Sequence, residues 1–103
     1  MMNFYSKRIY FISSLAVLFT YYQNTGLTGS WNTYYGYISS NVAVSSQSQC
    51  ETSCLNNAAC KLYQFWSLTC NLLAYQSGVT SVSSSLLGSF LNTNSGCITA
   101  SRN

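Results

Sequence analysis

Apolar and aromatic residues cluster in short runs, and stretches rich in Ser, Asn and Gly separate these runs. The runs contain many aromatic and β-branched residues, which favour strands, whereas the polar stretches have the composition of turns and loops. A short connection at 67–69 joins two runs into a predicted β-hairpin. Residues 77–85 predict a loop, and residues 92–103 form a polar tail. The pattern predicts one or two strands within residues 31–44 and single strands at 60–66, 70–75 and 86–91.

One helix is predicted between the first strands and the hairpin, at residues 48–57. Ser48 precedes Glu51 by three positions, the spacing of a capping box, and an acidic side chain in the first turn suits the helix dipole. Cys50 and Cys54 are four positions apart and therefore share one helix face. Because the segment has few large aliphatic residues, we expect its cysteines to attach it to the rest of the fold.

The first residues have the layout of an export leader. Residues 1–8 carry Lys7 and Arg8 and no acidic residue, and residues 9–22 form a largely apolar run. The run is short for a membrane span, which needs about 20 residues. We expect a signal peptide over residues 1–22, with cleavage between 20 and 30, followed by a single domain over residues 23–103. The main alternative is an uncleaved leader that anchors the chain, the only membrane contact that the sequence predicts.

Beyond the predicted leader, the chain has a small net charge, because it carries two basic residues, Lys61 and Arg102, and one acidic residue, Glu51. This gives no basic patch for a nucleic acid. The chain has no His and one acidic residue, so it lacks the usual general base at neutral pH and the carboxylate pair of a glycosidase. The sequence therefore predicts a non-enzymatic protein with no metal, no cofactor and no nucleic-acid partner.

The five cysteines are the strongest chemical signal. Four follow the spacing Cys50-x3-Cys54-x5-Cys60-x9-Cys70, and Cys97 lies far downstream. Zinc sites usually use paired Cys-x2–4-Cys units, and only the first pair here comes close. Disulfides suit a small exported domain, whose core alone stabilises it only marginally. The residues favour disulfides over zinc, and spacing alone leaves the pairing open.

The segment from Cys50 to Phe65, Cys-Glu-Thr-Ser-Cys-Leu-Asn-Asn-Ala-Ala-Cys-Lys-Leu-Tyr-Gln-Phe, followed by Cys70-Asn-Leu-Leu, resembles the central signature of PAN/apple domains. That signature combines a short Cys-x3-Cys helix, a third Cys that opens an aromatic strand, and a fourth Cys followed by Leu on the next strand. The resemblance implies an α+β fold: a small disulfide-stapled module with one short helix packed on an antiparallel β-sheet. It also implies the pairs Cys50–Cys70 and Cys54–Cys60.

Cys97 is not explained by this arrangement. In apple domains a terminal pair of cysteines joins the two ends of the module, but no cysteine precedes Cys50 here. An odd cysteine in an exported protein indicates an intermolecular bond or a capped thiol. Two interpretations stay open: a disulfide-linked homo-oligomer, or a fragment or divergent copy that has lost the partner of Cys97.

Aromatic residues supply both the predicted core and the predicted ligand surface. We expect Phe65 and either Tyr63 or Trp66 to pack in the core, because such rings dominate small cores. Strand alternation places Tyr63 and Phe65 on one face and Trp66 on the other. The candidate ligand surface consists of Trp31, Tyr34, Tyr35, Tyr37 and Lys61.

The resemblance implies a secreted, non-enzymatic adhesion module that binds an extracellular protein or carbohydrate. The alternative is a structural subunit of an extracellular coat or fibre, cross-linked through Cys97, which the low charge and the abundant Ser, Thr, Asn and Tyr would suit. An inhibitor or toxin-like effector is a third hypothesis, supported only by the small disulfide-bonded format.

Overall fold

Five strands and two helices follow one another along residues 18–103, the part of the chain that the computed structural model describes. Residues 1–17, the larger part of the predicted leader, lie outside the described residues. The elements are β1 (Phe19–Leu27), a 3₁₀ turn (Trp31–Thr33), β2 (Tyr35–Ala43), α1 (Gln47–Leu55), β3 (Leu62–Trp66), β4 (Thr69–Tyr75), α2 (Ser84–Gly88) and β5 (Leu91–Arg102).

The strands form one sheet in the order β1-β5-β3-β4-β2, and all neighbouring strands are antiparallel. β3 and β4 are the predicted hairpin, and α1 packs on these two strands. The α+β fold implied by the resemblance is therefore confirmed. Within residues 18–103, no helix combines the length and the apolar character needed to cross a membrane.

The predicted capping box of α1 is wrong. The N-cap is Ser46, whose backbone is extended and whose Oγ accepts a hydrogen bond from the Gln49 N–H at 3.2 Å. A side-chain oxygen in this position satisfies one of the N–H groups that a helix start leaves without a partner. Ser48 already lies inside the helix, so it cannot act as the cap, and Glu51 instead contacts the sheet.

Two disulfides hold α1 against the sheet. Cys50 is bonded to Cys70 of β4 with a Cα–Cα distance of 5.5 Å, and Cys54 is bonded to Cys60, just before β3, with a Cα–Cα distance of 5.3 Å. These are the two pairs that the resemblance implies. The two bonds close loops of different length. From the chain entropy that each bond removes from the unfolded state, we expect a stabilisation of about 3 kcal/mol for the longer loop and about 2 kcal/mol for the shorter. Such contributions are large for a domain of this size.

The core on the α1 side of the sheet is aromatic. The Phe19 and Tyr63 rings meet edge to face with centroids 5.2 Å apart, and both side chains are fully buried. Phe65 packs against the same cluster, so Tyr63 and Phe65 share one face as strand alternation predicts. Burial of these rings beside the disulfides supplies the hydrophobic contribution that a small domain needs.

Glu51 connects three elements beneath α1. Its carboxylate accepts a hydrogen bond from the Tyr21 hydroxyl of β1 at 2.6 Å and from the Tyr63 hydroxyl of β3 at 2.7 Å. Gln47 Nε2 also donates to the Tyr63 hydroxyl, at 3.1 Å. Hydrogen bonds to an ionised acceptor are stronger than neutral ones. The one acidic residue of the chain is therefore part of the helix–sheet junction.

Arg102, near the end of β5, caps the other end of α1. Its Nη1 donates to the carbonyls of Cys54, Asn57 and Cys60 at 3.0, 3.1 and 3.3 Å. The last carbonyls of a helix have no partner within the helix, and a cation there also interacts favourably with the helix dipole. This guanidinium thus ties the C-terminal strand to α1 and to the turn that follows it.

The predictions for residues 86–103 are wrong, whereas the loop predicted at 77–85 is irregular as far as Ser83, where α2 is capped. The pattern predicts a strand at 86–91, but Leu86 and Leu87 belong to α2, whose N-cap Ser83 accepts a hydrogen bond from the Leu86 N–H. The polar tail is β5, which lies between β1 and β3. Its small residues alternate: Ala100 packs in the core, whereas buried Thr99 satisfies its hydroxyl by hydrogen bonding. Tertiary pairing therefore overrides a composition that is typical of a loop.

A second, smaller core lies on the opposite face of the sheet. Leu62 of β3 and Leu73 of β4 pack there with Leu87 of α2, and the 3₁₀ turn contributes Trp31 at the margin. This cluster covers one part of that face. The part that it leaves uncovered holds the candidate site described below.

Replacing Glu51 tests the helix–sheet junction. We expect Glu51→Ala to lower the free energy of unfolding by about 3 kcal/mol, because two tyrosine hydroxyls lose their charged acceptor. Thr52→Ala, an exposed change on the same helix, is the control and should cost less than about 0.5 kcal/mol. Denaturant unfolding of the oxidised domain measures both. Equal stability of the two variants would contradict a structural role for Glu51.

Candidate functional site

Part of the sheet face opposite α1 is open to solvent. Side chains alternate along a strand, so Gln64 and Trp66 point away from the face on which Tyr63 and Phe65 pack. They line a shallow cavity of about 160 Å³. We call this surface the open face; the residues that line it are Asn41, Gln64, Trp66, Thr69, Asn71, Asn94 and Cys97.

A row of hydrogen bonds crosses the sheet at the open face. The Asn41 backbone N–H donates to Asn71 Oδ1 at 2.7 Å, and Asn71 Nδ2 donates to Gln64 Oε1 at 3.3 Å. Gln64 Nε2 donates to Thr99 Oγ1 at 3.5 Å, and the Thr99 hydroxyl donates to the Thr25 carbonyl at 2.8 Å. We call these five residues the polar row. Since each of the five strands contributes one member, the sheet itself fixes how the amides are oriented.

Trp66 ends β3 and forms one wall of the open face. The next two residues, Ser67 and Leu68, have φ values of 52° and 59°, the left-handed conformation of tight two-residue hairpins. The Thr69 hydroxyl donates to the Trp66 carbonyl at 2.6 Å and closes the turn. The Trp66 side chain remains 54% exposed. The turn therefore fixes the backbone of Trp66 and leaves much of its ring open to solvent.

A bulge in β5 forms a further wall of the cavity. The register between β1 and β5 shifts between Gln23 and Thr25. Gly96 lies in the bulge with φ +83°, and its N–H donates to Asn24 Oδ1 at 2.9 Å. A Cβ at Gly96 would lie 3.6 Å from Nε1 of Trp66, so the indole rests close to this glycine. The bulge thereby supplies two of the side chains that line the cavity.

The family comparison matches this architecture from end to end. Residues 18–101 match the family model for the PAN domain, and this segment contains both disulfides, α1 and the whole open face. The chain belongs to the PAN domain family. No curated protein and no solved structure matches the chain significantly. PAN domains are binding modules of extracellular proteins and contact proteins or carbohydrates.

The fifth cysteine of this PAN domain, Cys97, is a free thiol at the wall of the cavity. Its side chain is only 4% exposed. Burial raises the pKa of the Cys97 thiol, and a hydrogen bond with Thr99 offsets part of that effect. A buried thiol with a raised pKa has little thiolate at neutral pH and reacts slowly.

Four residues of the ligand surface predicted from sequence take part in three separate pairwise contacts. The Trp31 and Tyr37 rings meet edge to face with centroids 5.5 Å apart. Tyr34 packs against Phe90, with centroids 5.7 Å apart. Lys61 places its Nζ 5.5 Å from the centroid of the Tyr75 ring, a cation–π contact. None of these residues lines the open face, so their role in ligand binding stays a proposal.

Tyr35 does not belong to an exposed surface, and its inclusion in the predicted set is wrong. Its side chain is 3% exposed and packs against Leu62 and Leu73, because β2 turns it toward the second core. Burial, together with the neighbouring Tyr75 and Tyr22, raises the pKa of Tyr35 to about 12. The unfolded chain therefore loses this proton first. The corresponding stabilisation is present below the ordinary phenol pKa and is lost as the pH rises toward 12.

The polar row is absent from the ligand surface predicted from sequence. Alternation already separates Trp66 from Tyr63 and Phe65, and the same rule puts Gln64 beside Trp66. Extending this rule to the hairpin partner would have added Asn71, which pairs with Gln64. The contribution of β5 had no local signal, because its position between β1 and β3 depends on pairing between distant segments.

Thiol labelling tests the assignment of Cys97. We expect DTNB to label native, oxidised protein at least about ten times more slowly than protein unfolded in denaturant without reductant. Because the pKa is raised, the native rate should increase only at a higher pH than for an exposed thiol. Cys97→Ser is the control and should release no thiol signal in either state. Rapid stoichiometric labelling of the native protein would contradict the burial of Cys97.

Proposed function

We propose that this PAN domain is a secreted, non-enzymatic adhesion module that binds a glycan or a protein outside the cell. The observation that carries the proposal is the open face, where an exposed tryptophan and a row of oriented amides surround one cavity. Sites that bind ligands combine an apolar surface with a few polar groups that fix the orientation of the ligand. The open face has both components.

The charged residues support binding rather than catalysis. Residues 18–103 contain three charged side chains: Glu51, Lys61 and Arg102. Each makes a contact within the fold, with tyrosine hydroxyls, a tyrosine ring and backbone carbonyls respectively. None of them lines the cavity. Cys97 is the one titratable side chain among the lining residues, so the cavity does not gather the pair of groups that general acid–base chemistry at neutral pH uses.

The burial of Cys97 favours the adhesion module over the cross-linked coat or fibre. A disulfide to a second chain needs both sulfurs within bonding distance, with the Cα atoms usually about 4.4–6.8 Å apart. A partner sulfur would therefore have to enter the cavity beside Trp66. Such a link would also occlude the open face, so cross-linking and ligand binding would compete for the same surface.

Export with removal of the leader is also part of the proposal, with a revised cleavage position. The predicted boundary after residue 22 falls within β1, whose Phe19 is fully buried and whose Tyr21 donates to Glu51. Cleavage there would remove both side chains from the core. We therefore place the expected cleavage before Phe19. The intact mass of the secreted chain measures this directly: a mature chain that lacks Phe19 would contradict the revised position.

Array binding tests the proposed function. The fluorescently labelled, oxidised domain should give saturable signals on a glycan array or on an array of extracellular proteins. Trp66→Ala should weaken this binding at least about tenfold, as central aromatic contacts commonly do. Trp31→Ala changes the other tryptophan of the chain, which belongs to the ligand surface predicted from sequence and lies outside the open face. It should bind as the parent does, and a loss confined to Trp31→Ala would place the site on that other surface and contradict the open face. The absence of any saturable ligand would contradict the proposal, and so would equal losses in both variants.

A further inference from the structure

We propose that the open face accommodates one uncharged pyranose unit of a glycan, with its ring against Trp66 and its hydroxyls on the amides of the polar row. This inference rests on the proposed function and narrows the class of ligand. It assigns separate roles to the indole, to Asn71 and to Gln64.

The cavity has the size and the charge that such a ligand requires. Its volume of about 160 Å³ suits a single sugar ring rather than a folded partner. Specific protein partners usually cover about 800 Å² on each side, far more than this cavity presents. All seven lining residues are uncharged. A phosphate, sulfate or carboxylate would lose its hydration here without gaining a cationic partner, so the site favours a neutral ligand.

The amides offer the hydrogen-bonding groups that sugar hydroxyls need. An amide carries two N–H donors and a carbonyl oxygen with two lone pairs. Asn71 uses one N–H toward Gln64 and accepts from the Asn41 N–H, and Gln64 uses one N–H toward Thr99. Each amide therefore keeps a second N–H for a ligand. A hydroxyl both donates and accepts, so it matches the donors and acceptors of these two side chains.

The row also fixes these groups before the ligand arrives. Asn71 and Gln64 are held on both sides by the neighbours just described, and the backbone under them belongs to the central part of the sheet. Binding then orders few additional rotamers, and each rotamer-rich side chain that is already fixed loses no further conformational entropy. A weak, single-ring ligand depends on such preorganisation, because it has few contacts with which to offset ordering costs.

Trp66 supplies the apolar part of the site. The C–H groups of a pyranose form an apolar face, and the face of an aromatic ring carries the partial negative charge that attracts them. The hairpin turn and Gly96 hold the indole at the cavity wall, and the side chain is still 54% exposed. A side chain at Gly96 would approach the indole edge and strain a backbone at φ +83°.

Tryptophan fluorescence tests the inference, because the chain has two tryptophans. In Trp31→Phe, Trp66 is the one remaining reporter, and in Trp66→Phe it is Trp31. Both variants are titrated with uncharged methyl pyranosides of the gluco, galacto, manno and N-acetylglucosamine series. We expect at least one sugar to shift the emission of the Trp31→Phe variant saturably, with a Kd of about 1 mM. The emission of the Trp66→Phe variant should not change.

Two amide variants separate recognition from folding. Asn71→Asp keeps an acceptor for the Asn41 N–H but removes both donors, and it should weaken sugar binding about tenfold or more. Asn32→Asp makes the same chemical change on the exposed 3₁₀ turn and should bind normally. Near-ultraviolet circular dichroism confirms that both variants are folded. Binding of the parent should also change less than about twofold between about 0.05 and 0.5 M NaCl, since the site and the ligand are uncharged.

The outcomes distinguish this inference from the proposed function. If none of the sugars shifts Trp66 emission while the arrays reveal a protein ligand, the pyranose site is wrong and the adhesion module stands. If a glycan binds equally well to Trp66→Ala or to Asn71→Asp, the site is elsewhere and this inference is overturned. A strong salt dependence would indicate an anionic ligand and would also overturn it.

Discussion

The attachment of α1 to the sheet is the constraint on which the rest of this PAN domain depends. Two disulfides, the Glu51 carboxylate and the Arg102 guanidinium all act at this one junction. Together they join the helix to β1, β3, β4 and β5, which a small apolar core could not secure alone. Because these contacts occupy one face of the sheet, exposed chemistry is left mainly to the opposite face. The location of the candidate site follows from that asymmetry.

The few charged side chains of the described residues take part in structural contacts and not in the candidate site. A chain with three charged side chains in its described part places each of them in a structural contact, and uncharged amides and one indole are left to line the cavity. A neutral surface of this kind discriminates ligands by shape and hydrogen-bond geometry, which depend on rigid positioning. The polar row obtains that rigidity from the five strands, so the fold and the recognition chemistry have a common origin.

Local rules predicted the parts of the molecule that depend on neighbours in sequence. The hairpin and the shared face of Tyr63 and Phe65 follow from alternation and turn composition. The helix α1 begins and ends within two residues of the predicted range, although the cap that indicated its start is wrong. The disulfide pairs came from the family resemblance, since spacing alone leaves them open. The strand β5 was not predictable, because its Ser, Thr and Asn residues become ordered through pairing with β1 and β3. The polar row was not predictable for the same reason, because Thr25 and Thr99 come together only in the folded sheet.

The central claim is that the α1 face is structural and that the opposite face binds ligand. Amide chemical-shift mapping tests it most directly, with the isotope-labelled, oxidised domain titrated with the uncharged methyl pyranosides. The account predicts shifts concentrated at Gln64, Asn71 and the indole N–H of Trp66, with little change along α1. Shifts concentrated around Glu51 and the disulfides, with the Trp66 indole unaffected, would contradict it.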